Sequence, residues 1–387
     1  IHNLDFSYMT INSEYFILNG ATFFCDADFW ETTFECDISL IGTTFRRDAN
    51  FAGAPGSGVK FNGKVMFASA NIIGDAKFQY THINKNALFQ GTEFGSNANF
   101  WSVEFNQVAC FEMLGDSHLK FQGEVKFVKT KFEGGVRFLG VEFRNDADFR
   151  LAKFNADTNI IASKFLKKVD FRKAEFNSDT NFNNVEFTSD TDFRQVEFNG
   201  ISNFDGLELD KCRFDRADLT DAMFIGTNLS MSNFENALLS RATLFGADLR
   251  GAKLSGAVLG DVRIDEDTKF LGEPSGDTTD EGSSILDTWA ELRSKDYCVY
   301  DSNYEGENKN VDIDNAKSVY RALEEIGGKA ARTQLQSESF VRRQDLQQKQ
   351  YWDNASNADN PLEWLINVAK GSRARVARAT LLYGESP

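Results

Sequence analysis

The side chains able to do covalent or metal chemistry are few and scattered. Cys25, Cys36, Cys110, Cys212 and Cys298 are odd in number and form no C-x-x-C pair. That argues for a reducing compartment, and against a disulfide framework or a thiolate zinc site. His2, His82 and His118 share no ligand-like spacing with one another or with a cysteine. Aspartates are plentiful, and Asp146, Asp157, Asp179 and Asp190 recur regularly with Lys168 among them. A cation held at Asp157 and Asp179 is one reading; solvated turn aspartates of Asx type are the simpler one. The chain has no P-loop, no G-x-G-x-x-G opening a helix, no H-E-x-x-H and no nucleophile elbow. These residues predict no catalytic, cofactor or metal site, hence not an enzyme. The sequons Asn228-Leu229-Ser230 and Asn354-Ala355-Ser356 read as accidental, since nothing else suggests secretion.

Charge narrows the partners. The net charge is −16 and the sequence pI about 4.8. Such a surface does not track nucleic-acid phosphates, which requires Lys and Arg. No stretch of about 18 apolar residues could span a membrane. Residues 1–270 hold 28 basic and 38 acidic groups, residues 271–328 hold 5 and 14, and residues 329–387 hold 9 and 6. The basic excess therefore lies at the end of the chain.

What remains is a repeat. Phe occurs 37 times in 387 residues, against 4 Pro, which suggests one packing environment used many times. Phe127, Phe132, Phe138, Phe143, Phe149 and Phe154 alternate steps of five and six. The series continues through Ile160, Phe165, Phe171, Phe176, Phe182, Phe187, Phe193, Phe198 and Phe204, and runs backward with slips to Phe29. After Phe204 the step is a strict five, through Leu209, Phe214, Leu219, Phe224, Leu229, Phe234, Leu239, Leu244 and Leu249 to Ile264. The residue two before each centre is small or β-branched, as at Ala147, Val169, Ala217 and Ala247. A helix would turn residues five apart by about 140°, scattering the centres over all its faces. A strand would put them on opposite faces. A coil that turns a corner once per unit keeps every centre inside; four units close it, and coils stack about 4.8 Å apart. Residues 22 apart then stack in the first block: Phe138 with Ile160, Phe182 and Phe204, and Phe149 with Phe171 and Phe193. The step becomes 20 in the second, placing Leu209 on Leu229 and Leu249. About eleven or twelve coils give a rod of roughly 50–60 Å.

The later block, "RADLTDAMFIGTNLSMSNFENALL", and the Phe-rich "AEFNSDTNFNNVEFTSDTDFRQVEF" resemble the pentapeptide-repeat family over roughly residues 16–270. The resemblance implies an all-β solenoid, a right-handed quadrilateral β-helix, assigned to 1–270. An acidic Gly/Ser/Pro linker and loop follows at 271–311, and a small α-helical region at 312–387. Asp312 and Asp314 cap a first helix, whose stripe is Val319, Tyr320, Leu323 and Ile326 and whose stop is Gly327-Gly328. The stretch from Lys329 to Trp352 forms a second helix in a hairpin with it. A third begins after Asn360-Pro361 and carries Lys370, Arg373, Arg375 and Arg378 beside Trp364, Leu365, Leu381 and Leu382. Tyr320-Arg321-Ala322-Leu323 and Phe340-Val341-Arg342-Arg343 resemble the helical segment of membrane-attached family members, with Gln344 where those carry Glu.

Three functions fit. The first is a non-enzymatic scaffold rod that binds a protein partner or itself, cytoplasmic, and by resemblance the cytosolic regulatory part of a channel-like membrane protein attached through residues beyond Pro387. The second, also by resemblance, is an acidic DNA mimic that inhibits a topoisomerase; the mixed charges of the rod count against it. The third is a self-assembling solenoid, a homo-oligomer joined through open β-helix ends.

Overall fold

The computed structural model describes residues 4–188, 190–270 and 313–384, with side chains through Ala374. His2, Cys298, the linker 271–311, Asp312 and the side chains of Arg375, Arg378, Leu381 and Leu382 lie outside the described residues.

Residues 4–270 wind into a parallel β-solenoid with four sheets. Face one stacks nine two-residue strands, from Leu4–Asp5 to Thr191–Asp192. Faces two and three also have nine strands and face four has seven. Single-residue bridges then extend the stack; on face one they run Asp192 to Arg213, Asn233 and Lys253, giving twelve coils along that face. The pairing register is 22 residues in most of the Phe-rich block, as Phe138 opposite Ile160, and 20 afterwards, as Asn228 opposite Asp248. Two slips of five residues interrupt it, since Ala49 pairs with Ala76 and Ala98 with Val125. The second slip is absorbed by the turn closed by Leu114 and Ser117.

The two registers differ in their corners. In a five-residue step the chain turns through an i to i+3 bond, as Ala152 N–H to Phe149 O (3.1 Å), with a left-handed residue, here Leu151, third in the turn. In the 22-residue coils every second corner is turned this way. In the 20-residue coils left-handed residues follow all four centres, at Lys211, Arg216, Asp221 and Gly226. At some of the wider six-residue corners a carboxylate holds the next coil. Asp179 Oδ1 accepts Ile201 N–H at 2.9 Å, and Asp157 Oδ1 accepts the Ser178 hydroxyl at 2.6 Å. Those two aspartates therefore serve as rungs between coils.

The interior is a set of Phe columns. Phe138, Phe149, Phe171, Phe182, Phe193, Phe204, Leu209, Leu229 and Leu249 are all fully buried. Phe171 lies between Phe149 (4.8 Å between centroids) and Phe193 (5.0 Å), with its ring nearly parallel to both. Rings on opposite faces meet edge to face across the interior, as Phe171 and Phe182 at 6.3 Å. Phe61, Ile72, Ile83 and Phe121 complete columns across the slips. Where Thr closes one of the i to i+3 turns, its hydroxyl donates to the carbonyl of a centre on the preceding coil: Thr81 to Phe51 and Thr130 to Phe100, both at 2.6 Å. A buried polar atom is thereby satisfied without opening the core.

Among the described residues three helices follow: α1 (Ile313–Lys329), α2 (Thr333–Ser356) and α3 (Pro361–Gly384). Val319, Tyr320, Leu323 and Ile326 form the buried stripe of α1. The expected stop at Gly327-Gly328 is corrected: α1 runs through both glycines to Lys329. A Cβ at Gly327 would stand 2.9 Å from the Gln336 backbone nitrogen, so this glycine lets α2 approach closely. The chain reverses at Ala331, whose φ is 56°. Arg343 pairs with Glu324 (2.8 Å) between the two helices. Arg332 Nη1 donates to the carbonyls of Asp265 (3.0 Å) and Thr268 (2.6 Å), which ties the helices to the last coil of the solenoid. No helix among the described residues is long and apolar enough to cross a membrane.

Candidate interaction groove

The reactive residue types serve packing and pairing. Cys36, Cys110 and Cys212 are buried and Cys25 is half-buried. Burial pushes the Cys212 thiol up to about 12 and raises that of Cys110, so neither is a thiolate nucleophile at neutral pH. His82 Nδ1 meets Glu104 Oε2 at 2.9 Å, and Lys131 bonds the other oxygen of the same carboxylate at 2.7 Å. His118 Nδ1 donates to Gly140 O at 3.0 Å. No group of three or more His, Cys, Asp or Glu could hold a metal ion among the described residues.

A charged column on face one is the feature with the most organised chemistry. Its local unit is Asp-Phe-Arg, with the Phe ring inside and the two charges outside. Asp148 accepts Arg150 N–H (3.1 Å), Nε (2.9 Å) and Nη2 (2.6 Å). Asp170 with Arg172, and Asp192 with Arg194, repeat this fork one and two coils on. The pairing places Asp148, Asp170 and Asp192 directly in register, and stacked carboxylates repel. Guanidinium groups relieve this by also reaching along the column, Arg150 Nε to Asp170 Oδ2 at 3.8 Å and Arg172 Nε to Asp192 Oδ2 at 3.6 Å. The Asp side chains are only 17%, 9% and 3% exposed, against 46%, 36% and 28% for their arginines. The carboxylates are thus withdrawn and the column presents positive charge, although the protein as a whole is acidic.

A groove of about 870 Å³ follows this column over six coils, from Asn99 to Asp215. Its charged lining comprises six basic residues, Lys126, Arg150, Arg172, Lys173, Arg194 and Arg216, against Asp148 and Asp215. Trp101, Val128 and Leu151 line its end nearer the N-terminus. The left-handed corners at Leu151, Lys173, Gln195 and Arg216 set the side chains of one wall. The sequence reading passed over this arrangement by following Asp146, Lys168 and Asp190. The available signal was D-F-R at 148–150, 170–172 and 192–194, spaced by one coil.

Burial raises the Asp192 carboxyl, but the Arg194 side-chain bonds and backbone N–H outweigh it, so its pKa lies below the ordinary value. A depressed carboxylate stabilises the fold above its unfolded pKa of about 3.9 and loses that contribution as pH falls through the folded value. Asp192→Asn is expected to cost about 1–3 kcal/mol at pH 7, the gap closing as pH falls below about 4. Denaturant melts at pH 7 and pH 3 check this; an equal gap at both would show that ionisation contributes nothing.

Profiles of pentapeptide repeats match residues 162–208 in a nine-copy form, and residues 202–236 and 224–261 in an eight-copy form. No curated protein matches the chain. Among solved structures, the chain is similar to a pentapeptide repeat protein (Rfr23) from the cyanobacterium Cyanothece 51142, at 27% identity over 26% of this chain and 63% of that one, with a TM-score of 0.21. The match therefore spans less than two thirds of that protein. It is also similar to HetL of Nostoc sp. strain PCC 7120, a protein involved in heterocyst differentiation regulation, at 17% identity over 67% and 89% of the two chains, with a TM-score of 0.23. QnrB1, a plasmid-mediated fluoroquinolone resistance protein, matches at 15% identity over 68% and 94%, with a TM-score of 0.20. With the phased Phe columns and four-sheet coils, the repeat matches identify residues 162–261 as pentapeptide repeats.

Proposed function

We propose that the protein is a non-enzymatic scaffold, a rod whose outer faces bind a protein partner. The observation that carries this reading is the filled interior. Twelve coils of buried Phe, Leu and Ile leave the side chains of the faces and corners as the surface available for recognition. A stacked backbone with each coil bonded to the next presents these side chains in fixed rows. The DNA-mimic alternative asks for a continuous negative face, which the basic column on face one interrupts. Attachment to a membrane protein through residues beyond Pro387 belongs to the same scaffold reading, with the solenoid as its regulatory part.

The test is crosslinking in native cells, with photoreactive residues placed at outward positions of each face. The expected result is a recurrent crosslink to one protein from at least one solenoid face. Crosslinks confined to the helices, or none above a control with unfolded protein, would remove the scaffold reading.

A further inference from the structure

We infer that the groove on face one takes an extended acidic segment of a partner protein, with an apolar residue of that segment anchored beside Trp101 and Leu151. This rests on the scaffold reading and names the chemistry of one partner surface. Three features of the groove support it.

The first is charge. Six of the eight charged lining residues are basic, on a solenoid that is acidic overall. The Asp-Arg forks occupy Nε and Nη2 of Arg150, Arg172 and Arg194. That leaves each Nη1 as a donor with no partner among the described residues. Lys173 and Arg216 stand exposed at the left-handed corners alongside. A carboxylate can accept from a guanidinium edge already oriented by the buried aspartate, which reduces the ordering cost of binding.

The second is length. Six coils span five steps of about 4.8 Å, roughly 24 Å, which an extended segment of about seven residues matches at ~3.3 Å per residue. A longer polyanion would run on past Asp215 to Glu235 at one end of the column; at the other it would meet Lys77, already paired with Asp48 (2.7 Å), and then Asn50 and Asp28. A short acidic peptide therefore fits this electrostatic pattern better than a nucleic-acid strand.

The third is asymmetry. The apolar wall lies at one end, where Trp101 is 41% exposed and packs 6.3 Å from Tyr80, and Leu151 is 41% exposed. The positive charge lies over the following coils. An aromatic anchor beside a row of basic groups sets both the direction and the register of a bound chain.

The test uses the full chain and a fluorescently labelled peptide with one Leu-Trp pair at its N-terminus followed by six Glu, measured by anisotropy. Comparators are the same peptide with Glu replaced by Lys, and an eight-nucleotide oligo-dT. The Glu peptide is expected to bind at one site, weakening with salt, while the Lys peptide does not bind. Lys173→Glu with Arg216→Glu should weaken it by about tenfold or more. Neither side chain belongs to the Asp-Arg forks, so the melting temperature should not change. Trp101→Ala should reduce affinity for this peptide but not for one lacking the Leu-Trp pair. The proposal is overturned if no peptide binds, if the double variant binds unchanged, or if oligo-dT binds more tightly through the same residues, which would make the groove a nucleic-acid site. Absence of peptide binding beside recurrent crosslinks from another face would sink this inference and leave the scaffold standing.

Discussion

Phe171→Ala is expected to lower the unfolding free energy of the solenoid by about 3–5 kcal/mol. The ring is fully buried and stacks on Phe149 and Phe193 at centroid distances of 4.8 and 5.0 Å. Its edges also meet Phe165 and Phe182. Alanine would leave a ring-sized void in a column whose backbone is held by coil-to-coil hydrogen bonds, such as Phe149 N–H to Asp170 O and Phe171 N–H to Asp192 O, both 2.8 Å. The coils cannot close over the gap, because their spacing is set by those bonds rather than by the rings. Phe171→Leu should cost less, since the aliphatic Ile160 already sits in the facing column in register with Phe138. Denaturant melts of the two variants check the ranking. An alanine variant that melts with wild type would mean that the ring stack contributes nothing to stability.

Gly134→Ala should also destabilise the solenoid, for the opposite reason. An added Cβ would lie 2.4 Å from the carbonyl carbon of Gln107 and 2.7 Å from its oxygen, both in the backbone of the preceding coil. Such overlap can be relieved only by separating coils, which breaks the adjoining bonds; overpacking of this kind costs about 1–3 kcal/mol and sometimes more. The neighbouring Gly135 provides the control, because its Cβ would come no closer than 3.3 Å to Asp157 O. Hydrogen exchange should show local opening around Gln107 and Gly134 in the first variant and little in the second. Equal protection in both would mean that the coils do not approach closely at this corner.

Much of this architecture is legible in the chain because each repeat solves the same local problem. A centre such as Phe149 needs a small partner two residues earlier, a polar residue between, and a corner after it; Ala147, Asp148 and Leu151 supply these. Repetition turns a weak local preference into phase, and phase predicts which residues stack. The slips were harder to read, because a five-residue insertion leaves the centres hydrophobic while changing which of them pair. Ile72 and Ile83 were passed over for that reason, being aliphatic members of columns recognised by their Phe. The glycines at 327 and 328 misled for a related reason. A helix stop and a close helix crossing favour the same residue, and only the position of α2 separates them.

The sequence by itself determined the coil, its two periods and its inward face, since these follow from the spacing of apolar residues along one strand of chain. The tertiary structure alone decided what the outward residues do. Arg150 and Asp170, like Arg172 and Asp192, lie a whole coil apart in the chain, and only stacking brings them to 3.8 and 3.6 Å. There, repulsion between carboxylates in register draws guanidinium groups over them, and burial of the carboxylates turns a neutral pattern of D-F-R units into a positive surface. Charge composition is additive along the chain, whereas exposed charge depends on which partner is covered. An acidic protein can therefore carry a basic groove.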